Sequence, residues 1–162
     1  MSPRRLHPVE RKTPGPICGA YSVAAVTGTP VEQWVRLRGG KARGVSVAEM
    51  VRDLKAAGED VVWEDFEHLP GMRRPTVVDV CMRFGAGIVI TSGHALGFND
   101  MLVNDTWTKR WTWAPDCPHA KFRVTDVLWT DAPKFPPAAR HPSKTQSAAH
   151  FPARITLTGQ GA

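Results

Sequence analysis

The fold of this chain depends on residues 87–107, whose sequence is GIVITSGHALGFNDMLVNDTW. Two apolar runs flank Asn99-Asp100, a residue pair that tolerates positive φ and predicts a tight hairpin turn of two residues. Counting outward from that turn, His94 on the first strand lies opposite Asp105 on the second. Side chains that face each other across two strands have Cβ atoms roughly 5 Å apart. The spacing therefore predicts a carboxylate in contact with the His94 imidazole.

Asn104 is the alternative partner for this imidazole. Side chains alternate between the two faces of a strand, so Asn104 and Asp105 point in opposite directions. A change of register by one residue exchanges their faces and makes Asn104 the orienting residue. The side chain that contacts His94 distinguishes the two registers.

A cysteine stands at the start of a predicted helix upstream of the hairpin. The sequence Pro-Gly-Pro at 14–16 excludes a helix interior, whereas the small and apolar residues 19–26 favour a buried helix that ends at Gly28. Free N–H groups at a helix N-terminus lower a cysteine pKa below its usual value of about 8.5. Cys18 is therefore the candidate nucleophile, and His94 is its candidate base.

Three short patches together resemble the papain-like cysteine peptidases. The patches are CGAYSVAAVTG at 18–28, SGHALGF at 92–98 and VNDTW at 103–107. They are most similar to the compact bacterial branch that includes bacteriocin-processing double-glycine peptidases and related phage-encoded proteins. In that branch a Cys-Gly pair opens a helix, and a Gly-His strand precedes a short hairpin ending in Asn-Asp. The resemblance implies an α+β, papain-like fold in which N-terminal helices pack on a small antiparallel sheet.

The resemblance also implies hydrolysis of a peptide or isopeptide bond by a triad of Cys18, His94 and Asp105, without a cofactor. The family places a glutamine about six residues before the nucleophile to bind the oxyanion, but here Lys12 occupies that position. Lys12, Thr13 or backbone N–H groups are the candidate substitutes. Loss of an oxyanion donor typically lowers the rate on the order of 100-fold or more.

Two other interpretations stay open at this point. The first is a catalytically degenerate scaffold of the same fold that serves as a structural or interaction component of a larger assembly, such as a phage virion. The second is a cysteine-dependent acyl transferase, in which an amine rather than water resolves the thioester. A single cysteine on an apolar helix is most often a small buried residue, and a histidine on a strand is most often part of the core.

Composition predicts one soluble domain. The chain has 162 residues, 42% of them hydrophobic, and no apolar run near the ~20 residues that a membrane span requires. Its three cysteines are far apart, and the N-terminal residues contain no apolar leader. These features predict a reducing compartment, so we expect a cytoplasmic protein, or a virion protein if the chain is phage-encoded.

The net charge of +6 is concentrated at the two ends of the chain. Residues 1–12 carry four basic and one acidic side chain, and the Pro-rich residues 133–162 carry four basic and no acidic ones. We therefore expect a basic N-terminal arm, a papain-like domain at 13–132 and a basic C-terminal tail. Basic tails favour docking onto a larger protein assembly over a nucleic-acid groove within the fold. The expected partner is a peptide or protein substrate, with no membrane and with nucleic acid not favoured.

Four further side chains are candidates for chemistry or recognition. Tyr21 and Trp107 are candidates for the walls of a substrate groove. Cys117 and His119 have the spacing of metal ligands, but zinc takes three or four protein ligands and no second pair is evident. The sequence therefore predicts no metal centre.

Capping signals predict three more helices. Thr29 is the predicted N-cap of a short helix that begins at Pro30. Ser46 and Glu49 form a predicted capping box for the next helix. Thr76 is the predicted N-cap of a short helix that precedes the hairpin.

Two further segments are predicted strands, and the core follows from the apolar positions. Residues 60–65 and 122–129 favour strands, and the second of these is expected to close the sheet. Ile88, Val89 and Leu96 are expected to share one core with the helix that follows Cys18.

Overall fold

The computed structural model describes residues 5–10, 12, 14–66 and 71–131, and within them it confirms the α+β class. The helices are α1 (Cys18–Thr27), α2 (Val31–Leu37), α3 (Val47–Ala56) and α4 (Val77–Arg83), and the strands are β1 (Val62–Asp65), β2 (Ala86–Thr91), β3 (His94–Asn99), β4 (Leu102–Asn104), β5 (Thr112–Trp113) and β6 (Val124–Trp129). A 3-10 turn at Ala114–Asp116 follows β5. The predicted tail at 133–162 lies outside the described residues. None of the helices in the described ranges is long and apolar enough to cross a bilayer.

The six strands form one open antiparallel sheet in the order β1-β6-β2-β3-β4-β5. The last strand along the chain, β6, therefore lies between β1 and β2 and pairs with both. This position corrects the expectation that the final strand closes the sheet. Val124, Val127 and Leu128 on β6 are fully buried, as suits an interior strand.

Helices cover both faces of the sheet. On one face, Ile88, Ala95 and Leu128 pack with side chains of α1, α2 and α3. On the other face, Val89 and Leu96 pack with side chains of α4 and of the segment around the 3-10 turn. The expectation of one core shared with α1 holds for Ile88 and is wrong for Val89 and Leu96. Successive residues of a strand point to opposite faces, so the three cannot all face the same helix.

Most of the capping predictions are correct. The box formed by Ser46 and Glu49 is confirmed, and Thr76 caps α4 in a second box with Asp79. The predicted cap at Thr29 is wrong, because the proline that follows it occupies the N-cap position of α2 and no side chain caps that helix.

The β3–β4 hairpin is present, but its turn lies one residue later than predicted. Asn99 pairs with Leu102, so Asp100-Met101 forms the turn, and Asp100 takes the positive φ of 56°. Strand β4 ends at Asn104, and Asp105 lies just beyond it. Asp105 and His94 are therefore not a cross-strand pair, which corrects the predicted register.

Helix α1 packs against β3 at Gly97 with no room for a side chain. A Cβ atom added at Gly97 would lie 2.7 Å from Cβ of Ala25 and 3.4 Å from the carbonyl oxygen of Ser22. Ser22 and Ala25 are themselves small and buried. Small residues on both elements thus let the helix axis approach the strand closely, and this contact fixes the height of α1 above the sheet.

The described part of the N-terminal arm lies against the domain. Val9 packs against the core formed by α1, α2 and α3. The indole N–H of Trp111 donates to the carbonyl of His7 at 2.8 Å. The backbone N–H of Lys12 donates to the carboxylate of Glu32 at 3.0 Å, near the start of α2.

Adding a methyl group at Gly97 tests the importance of the close contact. Gly97→Ala should lower the free energy of unfolding by roughly 1–3 kcal/mol, because its Cβ has no space against Ala25 and overpacking a core costs about this much. Gly44→Ala is the matched control, since nothing lies within 4 Å of a Cβ added there. Urea denaturation measures both variants. Equal stability of the two variants would show that α1 adjusts its position freely.

Candidate active site

Cys18 lies in the first turn of α1, where the backbone N–H groups have no side-chain cap. Its thiol is partly exposed and is hydrogen-bonded to the side chain of His94 and to the backbone N–H groups of Ala95 and Gly19. A Cβ added at Gly19 would lie 2.8 Å from Cβ of Val45. A glycine after the cysteine therefore lets the α2–α3 loop close against the start of α1.

The contact between Cys18 and His94 shifts the pKa of both groups. Burial raises the pKa of Cys18, but the hydrogen bonds from His94 and from the N–H of Ala95 outweigh burial, so the pKa falls below its ordinary value. Burial lowers the pKa of His94, but its contacts with Asp105 and Cys18 raise that pKa to about 9. The two shifts together favour a thiolate beside an imidazolium.

Asp105 is fully buried and uses its two carboxylate oxygens for different partners. Oδ1 accepts hydrogen bonds from the backbone N–H groups of Trp107 and Thr108, at 2.9 and 2.7 Å, and from the Thr108 hydroxyl at 3.0 Å. Oδ2 lies 3.6 Å from Nε2 of His94. Burial raises the pKa of Asp105, but His94 and the donors on the following turn lower it well below its usual range. Asp105 is therefore a carboxylate held in place by its own loop.

A second histidine, His119, joins this group. Its Nδ1 lies 3.0 Å from Oδ2 of Asp105, and its ring stacks on that of His94 with centroids 4.4 Å apart. Burial and the neighbouring His94 lower the pKa of His119. The sequence drew attention to His119 only through its spacing from Cys117. The structure places it with His94 and Asp105 instead, and burial raises the pKa of Cys117.

Exposed aromatic rings flank the histidines. Trp107 is 69% exposed, and its ring centroid lies 6.3 Å from that of His94 and 5.0 Å from that of His119. Phe122 is 50% exposed and meets the His119 ring edge-on at 4.9 Å. These rings offer an apolar surface beside the thiol and imidazole.

Three predicted site residues lie elsewhere. Tyr21 is completely buried, and its hydroxyl donates to Oδ1 of Asn104 at 3.0 Å, so Tyr21 does not line an open groove. Asn104 is also buried, and Asp105 rather than Asn104 contacts His94. The backbone N–H of Lys12 donates to Glu32 near the start of α2, and Lys12 lines a cavity with Ala24 and Gly28 toward the C-terminal end of α1. Thr13 lies outside the described residues.

One group of side chains could hold a metal ion. One ligand atom from each of His94, Asp105 and His119 lies within 4.8 Å of the other two. The sequence predicted no metal centre because no second pair of ligands accompanies Cys117 and His119. Folding brings His119 to two residues that are 25 and 14 positions earlier in the chain.

The site combines an accessible thiol, an imidazole in contact with it and a buried carboxylate behind the imidazole. These are the groups that thiol-based nucleophilic catalysis uses. The chain matches no protein-family model, no curated protein and no solved structure.

Proposed function

We propose that the chain is a papain-like cysteine peptidase that cleaves a peptide or isopeptide bond through Cys18, His94 and Asp105. The observation that carries this proposal is the pair of contacts made by His94. One contact is a hydrogen bond with the Cys18 thiol, and the other is the buried Asp105 carboxylate at 3.6 Å. A nucleophile, its base and a group that orients the base stand in the order that such catalysis requires.

The first step is attack by the Cys18 thiolate on the carbonyl carbon of the scissile bond. The carbonyl electron pair moves to the oxygen and forms a tetrahedral oxyanion. When the tetrahedral intermediate collapses, His94 gives its proton to the departing amine, and the acyl group remains on Cys18 as a thioester. Asp105 keeps the imidazole oriented and stabilises its positive charge.

The second step releases the acyl group. Neutral His94 accepts a proton from water, and the hydroxide formed attacks the thioester carbonyl. Collapse of this second intermediate yields the carboxylic acid and returns the thiolate and imidazolium pair. An amine in place of water would make the same chain an acyl transferase.

Backbone groups are the proposed oxyanion donors. Lys12, which takes the place of the family's glutamine in the sequence, lies beside Glu32 near the start of α2 and, among the described residues, has no hydrogen bond to Cys18 or His94. The N–H groups in the first turn of α1 have no side-chain cap and lie beside the nucleophile. A helix N-terminus also stabilises negative charge through its dipole. The Cys18 N–H is therefore the proposed donor, and we expect a slower enzyme than one with an additional amide donor.

The first prediction for the site concerns the reactivity of Cys18. Because the His94 contact lowers its pKa, Cys18 should react with iodoacetamide at about pH 6, well below the range near 8.5 where an ordinary cysteine ionises. Mass spectrometry of the alkylated peptides measures the rate at each cysteine. Cys81 and Cys117 are buried and serve as internal references.

Two variants serve as controls for that measurement. His94→Ala should shift the rise in Cys18 alkylation toward pH 8.5, the free-thiol range. Asp105→Asn should shift it less, because Asp105 acts through the imidazole. A Cys18 rate profile that His94→Ala leaves unchanged would contradict the proposed pair and favour a degenerate scaffold.

The second prediction concerns catalysis. Incubation with a denatured protein mixture should produce new peptide termini, which mass spectrometry can map, and Cys18→Ala should produce none. With a peptide taken from that map, activity should rise as Cys18 ionises and fall as the pH passes about 9, where His94 loses the proton that it gives to the amine. Identical termini from Cys18→Ala would exclude thiol catalysis.

The third prediction concerns substrate binding by Trp107. Trp107→Ala should raise KM roughly 5- to 30-fold with little change in kcat, because partial burial of an aromatic ring contributes about 1–2 kcal/mol. Trp113→Ala is the matched control, since Trp113 is 48% exposed on β5 and makes no ring contact with the site histidines. An equal rise in KM for both variants would remove Trp107 from the substrate groove.

A further inference from the structure

Two imidazoles and one carboxylate converge on a single point beside the thiol. Oδ2 of Asp105 lies 3.0 Å from Nδ1 of His119 and 3.6 Å from Nε2 of His94. Two ligands of a tetrahedral zinc ion are about 3.3 Å apart when each metal–ligand bond is about 2.0–2.1 Å. The three atoms lie within 4.8 Å of one another, and the two stacked rings would have to turn toward a common centre to reach such spacings.

The same three atoms lack good hydrogen-bond partners. Nε2 of His94, Oδ2 of Asp105 and Nδ1 of His119 are all buried, and none makes a hydrogen bond of good geometry. Asp105 and His119 are 0% and 3% exposed, so bulk solvent does not reach these atoms. Buried polar atoms are almost always satisfied, and a metal ion bound by all three atoms would satisfy them together.

The carboxylate is arranged to offer one oxygen to such a partner. Oδ1 is fully engaged by the turn at Trp107 and Thr108, while Oδ2 faces the two rings. The donors to Oδ1 hold the carboxylate in place, as supporting partners do for ligating carboxylates in metal sites.

We propose that His94, Asp105 and His119 form a binding site for Zn²⁺. Two imidazole nitrogens and one carboxylate oxygen are a ligand set typical of zinc, and water completes the fourth position. The site is separate from the nucleophile, because Cys18 is not among its ligands. The site shares His94 and Asp105 with the proposed catalytic groups, so bound Zn²⁺ would occupy the two atoms that face each other in the triad. Zinc binding and peptide cleavage are still measured separately, because Cys18→Ala removes the nucleophile and keeps all three ligands.

Zinc titration of the full-length chain, after treatment with a chelator, tests the site. Isothermal titration calorimetry should show one Zn²⁺ per chain, and His119→Ala should weaken binding at least 10- to 100-fold, the range that loss of a supporting partner alone produces. His7→Ala is the matched histidine control and should bind as the wild type does. Cys18→Ala should abolish peptide cleavage and leave zinc binding unchanged.

Cobalt spectroscopy identifies the ligands directly. Bound Co²⁺ should show visible bands of a four-coordinate site without a thiolate-to-cobalt charge-transfer band in the near ultraviolet, and His119→Ala should lose the visible bands. Asp105→Asn, which keeps an acceptor oxygen for the turn, should also bind more weakly if it remains folded by circular dichroism. Absence of stoichiometric binding, unchanged affinity in His119→Ala, or a thiolate band that disappears in Cys18→Ala or Cys117→Ala would overturn the proposal.

Discussion

The close contact between α1 and β3 at Gly97 determines where the groups of the candidate site lie. Ala25 and Ser22 approach the strand so closely that even a methyl group has no space at Gly97. Helix α1 starts with Cys18 and β3 starts with His94, so the separation of these two elements is also the separation of the thiol and the imidazole. A contact made of small residues can hold the thiol and the imidazole at a fixed separation, because it leaves no flexible side chain between the helix and the strand.

The site joins the two helical layers of the domain across the end of one strand. Cys18 comes from the layer on one face, and Ala95 of β3 packs toward that layer. Leu96 packs toward the other face, where Cys117 is also buried two residues before His119. His94 stands at the start of β3 and contacts groups from both sides. Substitutions that disturb the packing of either layer should therefore change the geometry of the site, even where the substituted residues do not contact the site residues.

Sequence predicted the parts of the fold that depend on neighbouring residues. A capping box is satisfied within one helical turn, so the spacing of Ser46 and Glu49 alone predicted their pairing. The position of β6 in the sheet depends on pairing between strands that are far apart in sequence, so no pattern of neighbouring residues predicts it. The predicted position of the hairpin turn was wrong for a different, local reason. Asn99 and Asp100 both tolerate positive φ, and the structure uses only Asp100 for it, which moved the turn by one residue.

The candidate site shows the same division between local and distant information. The spacing of His94 and Asp105 around the hairpin predicted that these two side chains meet, even though the predicted strand register was wrong. Asp105 reaches His94 because its own turn, through Trp107 and Thr108, holds the carboxylate beyond the end of β4. His119 could not be predicted, because only the packing of the second core carries its ring onto His94. Asp105 meets both rings because its own turn engages Oδ1, whereas Oδ2 faces His94 and His119.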